Sequence, residues 1–212
     1  MVARGHRGES LVSVNVYVEG GGDSKLLRTE CRKGFSQFLE KAGLKGRMPS
    51  ITACGGRQNA YESFCTAFEQ GQTAMLLVDS EAPYTATSPW QHLKDRLGDN
   101  WHQPAGASDK QCHLMVECME NWFLADRHAL SEFFGQEFRS NALPTETSSI
   151  ELIAKQTVYD ALKKATKNCK SKGEYGKGKH SFLLLGIIDP GKIMASSDEA
   201  KRFITDLKMA MG

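Results

Sequence analysis

None of the six cysteines stands in CxxC spacing with another, and none pairs with a histidine at a zinc-site interval. That pattern excludes the common zinc-ribbon and thioredoxin-type motifs. Cys112, His113 and Cys118 form a trio without such spacing, and Cys31, Cys54 and Cys65 fall on apolar positions that suit reduced core thiols. No apolar run reaches membrane-spanning length, and MVARGHRGES has no apolar h-region, so no signal peptide is visible. A cytoplasmic protein without membrane association is expected. GxxxxGK[ST], GxGxxG and GxSxG are all missing, which argues against a P-loop NTPase, a dinucleotide-binding unit and an α/β-hydrolase. His6, His92, His102 and His128 have no evident partners.

Net charge, at +2, is also small, but it is unevenly spread. Lys163 to His180 holds seven lysines against Glu174 alone, leaving the rest of the chain mildly acidic. A basic segment on an acidic body suits a phosphate backbone, and it equally suits a solvated lysine-rich helix end and loop. The 212 residues are enough for one α/β domain, with an α/β core over 1–140 and a helical, basic portion over 141–212 packed on it.

Periodicity gives the architecture. Leu11 to Val18 alternates as a strand, and Leu27, Cys31, Phe35, Phe38 and Ala42 recur as a helix ending near Gly43. Ile51 to Cys54 reads as a strand, Tyr61 to Phe68 as a helix, and Ala74 to Val78 as a strand buried on both faces. Trp90 to Leu97 is helical, Cys112 to Val116 is a short apolar run, and ECMENWFLAD turns into a helix. SSIELIAKQTVYDALKKATK and the tail from Ser197 are amphipathic helices, with SKGEYGKGKH and the apolar SFLLLGIID between them. The alternation predicts an α/β fold with a mostly parallel central sheet flanked by helices and a helical C-terminal portion.

Ligands of such sheets gather beyond the carboxyl ends of the strands. Two acidic clusters stand there: Glu19 and Asp23 in VNVYVEGGGDSKLL, and Asp79 and Glu81 in LLVDSEAP. Crowded carboxylates repel and raise one another's pKa unless a cation neutralises them. Mg²⁺ or Mn²⁺ fits such an oxygen set and supports attack on phosphodiesters, with Gly20 to Gly22 leaving room for a phosphate backbone. Singly, each acid has a plainer explanation: Asp23 or Ser24 as a helix N-cap, Asp79 as a turn partner ahead of Pro83.

VYVEGGGD followed by LLVDSE resembles the Toprim domain. With GGRQNAYESF, MVECMENWFLAD and KGKHSFLLLGIIDP in order, the chain is similar to small stand-alone Toprim-like proteins encoded beside ATPases in bacterial anti-phage loci, relatives of OLD-type, abortive-infection and RloB-like proteins. The resemblance implies a Toprim-like, Rossmann-like fold and a metal-dependent nuclease acting in defence with an ATPase partner, in assemblies that include a possible homo-oligomer. It gives Glu19 the place of the invariant acid, Asp23 that of the second acid, and Asp79 and Glu81 that of the DxD pair. Glu81 departs from DxD by one methylene. An inactive module that binds and regulates an ATPase, and a metal-dependent nucleotide phosphohydrolase, are the alternative functions.

Further candidates surround these acids. Glu117 follows an apolar run as Glu19 and Asp79 do, with Glu120 three residues on; it is a further candidate ligand and equally suits a solvent-facing helix start stabilised by the dipole. Lys179 is the candidate for steadying charge on a scissile phosphate, and Lys177, Lys179, His180 and Arg57 for holding nucleic acid, DNA or RNA. Asp126 suits the C-terminal end of one helix or the N-cap of the next, and Trp122 and Phe123 suit the core.

Overall fold

The computed structural model describes residues 13–212. Leu11, Val12 and His6 lie outside the described residues. The chain alternates strand and helix through its first half: β1 Val14–Gly21, α1 Lys25–Leu39, β2 Ser50–Gly55, α2 Arg57–Glu69, β3 Thr73–Asp79, α3 Pro89–Asp95 and β4 Cys112–Met115. The strands form one sheet in the order β2-β1-β3-β4, and every pairing is parallel. Helices then take over: α4 Arg127–Phe134, α5 Lys155–Thr166, α6 Lys177–Ile187, α7 Pro190–Ser196 and α8 Asp198–Met211. The fold is the expected α/β architecture, and no helix among the described residues is long and apolar enough to cross a membrane.

Alternation within the strands builds a layer on each side. Val14, Val16 and Val18 of β1, with Met75 and Leu77 of β3, pack into one cluster with Phe35 and Phe38 of α1, Leu184 of α6 and Phe203 of α8. Leu76 and Val78 of β3 and Leu114 of β4 face the other way, against Phe64 of α2 and Trp90 and Leu93 of α3. Each such aliphatic side chain contributes about 1.5–3 kcal/mol by leaving water. With both faces of β3 buried, its sequence is a continuous apolar run rather than an alternating one.

Two local outcomes differ from the periodicity. The run after Cys118 winds as a 3₁₀ helix over Met119–Ala125, with Trp122 and Phe123 in the core. SFLLLGI, the first seven residues of SFLLLGIID, belongs to α6, a helix that opens at Lys177 inside the segment read as a basic loop. Its apolar residues lie on two sides, so Leu184 and Leu185 are buried while Leu183 and Ile187 stay exposed, and the helical period is blurred.

His113 on β4 is fully buried against the Phe203 ring, 5.3 Å between centroids. Nε2 is 2.9 Å from the Lys110 carbonyl, and Nδ1 has no partner. Burial, then the Arg202 charge, pushes its pKa down to about 3. The folded state therefore resists protonation, and stability is lost as the pH falls from the unfolded value of 6.5 towards that point. Urea titrations of the parent protein at pH 7 and pH 4 should differ by about 3 kcal/mol from this group. His113→Gln, which does not titrate, should shrink that difference by a comparable amount.

Candidate metal centre

The strand order reverses direction between β1 and β3, because β1 leads to β2 on one side and β3 to β4 on the other. At such a switch point the loops leaving adjacent strands part and open a crevice. Glu19 stands near the end of β1, Asp79 ends β3, and Glu81 lies two residues on. One carboxylate oxygen from each of the three comes within 4.8 Å of the others.

Backbone geometry makes this convergence possible. Glu81 takes a left-handed conformation (φ 63°), which costs a non-glycine residue about 1–2 kcal/mol. Ser80 N–H donates to the Met115 carbonyl at 2.9 Å and Glu81 N–H to the Glu117 carbonyl at 2.8 Å, so the turn is fixed from β4. Gly21 and Gly55 also have positive φ, and a Cβ on Gly55 would lie 2.5 Å from the Gly22 carbonyl. The β1–α1 and β2–α2 loops can meet only without side chains there. Arg28 pins the first loop through Nε to the Gly22 carbonyl at 2.8 Å. The glycines expected to admit a phosphate thus serve the chain's own packing at Gly20 and Gly21, while Gly22 faces open space.

Each acid meets a cation from a different helix. Arg57, first residue of α2, donates to Glu19 Oε2 at 3.1 Å. Lys155, first of α5, donates to Glu81 Oε1 at 2.5 Å. Lys177, first of α6, stands 3.9 Å from Asp79 Oδ2. Asp79 is almost wholly buried and accepts the Met119 N–H at 2.9 Å. Burial, then the Glu19 and Glu120 charges, drives its pKa well above the carboxylate range. Burial also raises Glu19, with Arg57 working against it and Glu81 adding to it. At Glu81 burial again pushes upward, but the Lys155 bond and charge outweigh it and the net shift is down.

Glu120 is fully buried beside the trio and held by hydroxyls: Tyr159 at 3.0 Å, Tyr175 at 3.0 Å and Ser181 at 3.1 Å. With Glu19, Asp79, Lys177 and Met119 it lines a cavity of about 220 Å³. Counting Asp99, which holds Arg57 and Arg96, five carboxylates (Glu19, Asp79, Glu81, Asp99, Glu120) face four cations (Arg57, Arg96, Lys155, Lys177), so negative charge is in excess. Burial first, and then the neighbouring acids, disfavour the ionised forms of Asp79 and Glu19. An all-oxygen donor set with surplus negative charge fits a hard divalent cation, with Glu19, Asp79 and Glu81 as the side chains to hold it.

Several expected residues lie elsewhere. Asp23 is fully exposed, 3.9 Å from Arg28, while Ser24 is the N-cap of α1. Glu117 Oε2 accepts the Lys155 N–H at 2.9 Å and so caps α5, whose own N-cap residue, Ala154, has no polar side chain. Lys179 Nζ reaches back to the Lys172 carbonyl at 2.8 Å, away from the acids. His180 turns inward, where Nδ1 accepts the Gly176 N–H at 3.0 Å, and burial lowers its pKa. It anchors the loop before α6 rather than presenting a charge. Asp126 is the N-cap of α4, as anticipated. Lys155, Asp99, Tyr159, Tyr175 and Ser181 had no signal in the sequence, since distant elements bring them in.

The family model described as a domain of unknown function (DUF4276) matches residues 18–208, and the chain belongs to that family. No curated protein and no solved structure matches the chain.

The raised Asp79 has a consequence for stability. A carboxyl whose folded pKa lies above its unfolded value stabilises the fold at low pH, and that contribution is lost as the pH rises through the folded value. In metal-free protein at pH 8, Asp79→Asn should therefore melt higher than the parent, by about 2–4 °C per kcal/mol of relieved burial penalty and repulsion. The gain should shrink at pH 5, and Mg²⁺ should raise the melting temperature of the parent but not of the variant. Calorimetry with and without Mg²⁺ at the two pH values checks this.

Proposed function

We propose that this DUF4276 chain is a Mg²⁺- or Mn²⁺-dependent nuclease of Toprim type, hydrolysing nucleic-acid phosphodiesters. The observation that carries the reading is the meeting of Glu19, Asp79 and Glu81 at the sheet's switch point, with oxygens within 4.8 Å and Asp79 almost without solvent. The Toprim-like order of VYVEGGGD and LLVDSE supports the same chemistry. When bound, a divalent cation supplies charge neutralisation for the attacking and leaving oxygens of an in-line displacement.

The chain's own residues have separable parts in this reading. Glu19, Asp79 and Glu81 hold the cation, and Lys155 keeps Glu81 ionised and turned inward. Lys177 is more than half exposed, yet its ammonium reaches the cavity and its charged form is favoured by Glu120 and Asp79 despite burial of part of the side chain. It is the group placed to meet a non-bridging phosphate oxygen, a role expected from sequence for Lys179. The N-terminus of α6, which has no side-chain cap, adds partial positive charge where Lys177 stands. Lys172 and Lys179 extend the basic rim outward for a nucleic-acid backbone. An ATPase partner, a role in anti-phage defence and assembly into oligomers belong to this proposal through the Toprim-like resemblance alone.

A specific observation favours a second reading. Arg57, Lys155 and Lys177 already pair with the three acids, as they would in an inert Toprim-like module that docks on and regulates an ATPase. A panel of single- and double-stranded DNA and RNA with Mg²⁺, Mn²⁺ or chelator, with and without a neighbouring ATPase, separates the two. Cleavage should require metal, and Glu19→Gln and Asp79→Asn should each lower it by more than the roughly 10–100-fold typical of losing an outer-shell partner. Cleavage that persists in both variants sinks the proposal, and absence of cleavage under every metal and with the partner leaves the inert module. Nucleotide turnover without polymer cleavage would instead assign a nucleotide phosphohydrolase.

The two lysines give an independent comparison. Lys177→Ala should lower kcat by about 10²-fold or more, the scale for removing a group that stabilises transition-state charge. Lys179→Ala should leave kcat within about twofold and raise KM, with a shallower salt dependence. Steady-state kinetics at several salt concentrations checks both.

A further inference from the structure

The guanidinium of Arg57 makes more directed contacts than any cation around the acids. Nε donates to Asp99 Oδ1 at 2.8 Å and Nη2 to Asp99 Oδ2 at 2.6 Å, a two-pronged pair with a buried carboxylate. Its other edge faces the crevice, where Nη1 donates to Glu19 Oε2 at 3.1 Å and to the Asp79 carbonyl at 2.9 Å. The Trp101 ring lies 4.9 Å from the guanidinium carbon, and Arg96 holds Asp99 from behind at 2.9 Å. One planar group thus ties the ends of β1 and β3 to the loop that follows α3.

We propose that Arg57 is a positioning residue for Glu19, setting where that carboxylate stands relative to the end of β3, with Asp99 as its anchor. The inference rests on the metal-centre reading above. A guanidinium has five N–H donors, and four are engaged inside the chain. One donor remains, too few for a two-pronged grip on a phosphate, so Arg57 does not fill the nucleic-acid-holding role its place after Gly55-Gly56 suggested. Position and charge predict opposite signs. As a counter-charge only, Arg57 competes with a bound cation. As a fork, it fixes the ligand, and the flexible Glu19 side chain would otherwise adopt several rotamers.

Arg57→Lys separates the two, since lysine keeps the charge but offers a single point donor in place of the fork. Mn²⁺ binding to the full-length chain, followed by the electron paramagnetic resonance of the free ion, is the measurement, with a thermal melt to establish folding. Arg57→Lys should weaken Mn²⁺ binding about tenfold or more, the usual scale for losing a group that orients a ligand. Asp99→Glu, which keeps the anchor's charge but displaces it by one methylene, should shift affinity in the same direction and decides the matter if Arg57→Lys does not fold. Unchanged or tighter Mn²⁺ binding in the folded variant overturns the positioning role alone. Absence of Mn²⁺ binding by the parent protein overturns the metal centre, and this inference with it.

Discussion

Mutual repulsion among carboxylates at the β1/β3 crevice is the constraint around which this molecule is arranged. Glu19, Asp79 and Glu81 come within 4.8 Å, and Glu120 lies buried behind them. Like charges so close, with little water between, raise one another's pKa and oppose folding. The chain answers with Arg57, Lys155 and Lys177, each the first residue of a helix: α2, α5 and α6. A cation at a helix N-terminus is unfavourable on its own, because the macrodipole is positive there. All three helices accept it, and in each case the side chain pairs with one of the three acids. Helix ends and lysine or arginine charges then act together on one anionic centre.

The compensation is graded across the site. Glu81 has a close, strong partner in Lys155, and its pKa falls. Asp79 has only a distant one in Lys177, and burial, then the Glu19 and Glu120 charges, raise its pKa. The two acids whose ionised form is disfavoured, Asp79 and Glu19, both line the cavity. A structural ion-pair network spread for stability would place its tightest pair at its most buried acid, since desolvation is worst there. The opposite holds at this crevice, as the most buried acid of the trio has the loosest partner. That inversion suits a site with something else to bind.

Much of this was legible from the sequence for a physical reason. Strand ends in a parallel sheet are marked by an apolar run stopping at a polar residue, and Val18 to Glu19 and Val78 to Asp79 both have that form. Parallel pairing and right-handed crossovers then bring such ends to one edge. Asp23 was misplaced because spacing cannot tell a residue aimed into a crevice from one that turns outward after three glycines. Glu117 and Glu120 show the limit of helical spacing: the helix starts after Glu117, so the two separate into a cap for α5 and a buried acid. Lys177 and Lys179 were equivalent as text. The opening of α6 at Lys177 makes them different, turning one to Asp79 and the other to the Lys172 carbonyl. Long-range pairs such as Lys155 with Glu81, 74 residues apart, leave no local trace.

Glu81 bears most directly on whether the centre is catalytic or inert. The aspartate of a DxD pair would need its backbone closer to the ion, whereas glutamate adds a methylene and reaches from farther away. Here the longer side chain comes with a left-handed backbone at φ 63° and two main-chain bonds from the segment after β3 to the end of β4 and Glu117. Those two bonds and the Lys155 pair offset the roughly 1–2 kcal/mol that the left-handed conformation costs. Lys155 alone could be met from an unstrained backbone by a flexible glutamate. The bonded left-handed turn sets where the Glu81 carboxylate stands relative to Glu19 and Asp79, a fixed placement that the proposed cation would need and a simple ion pair would not.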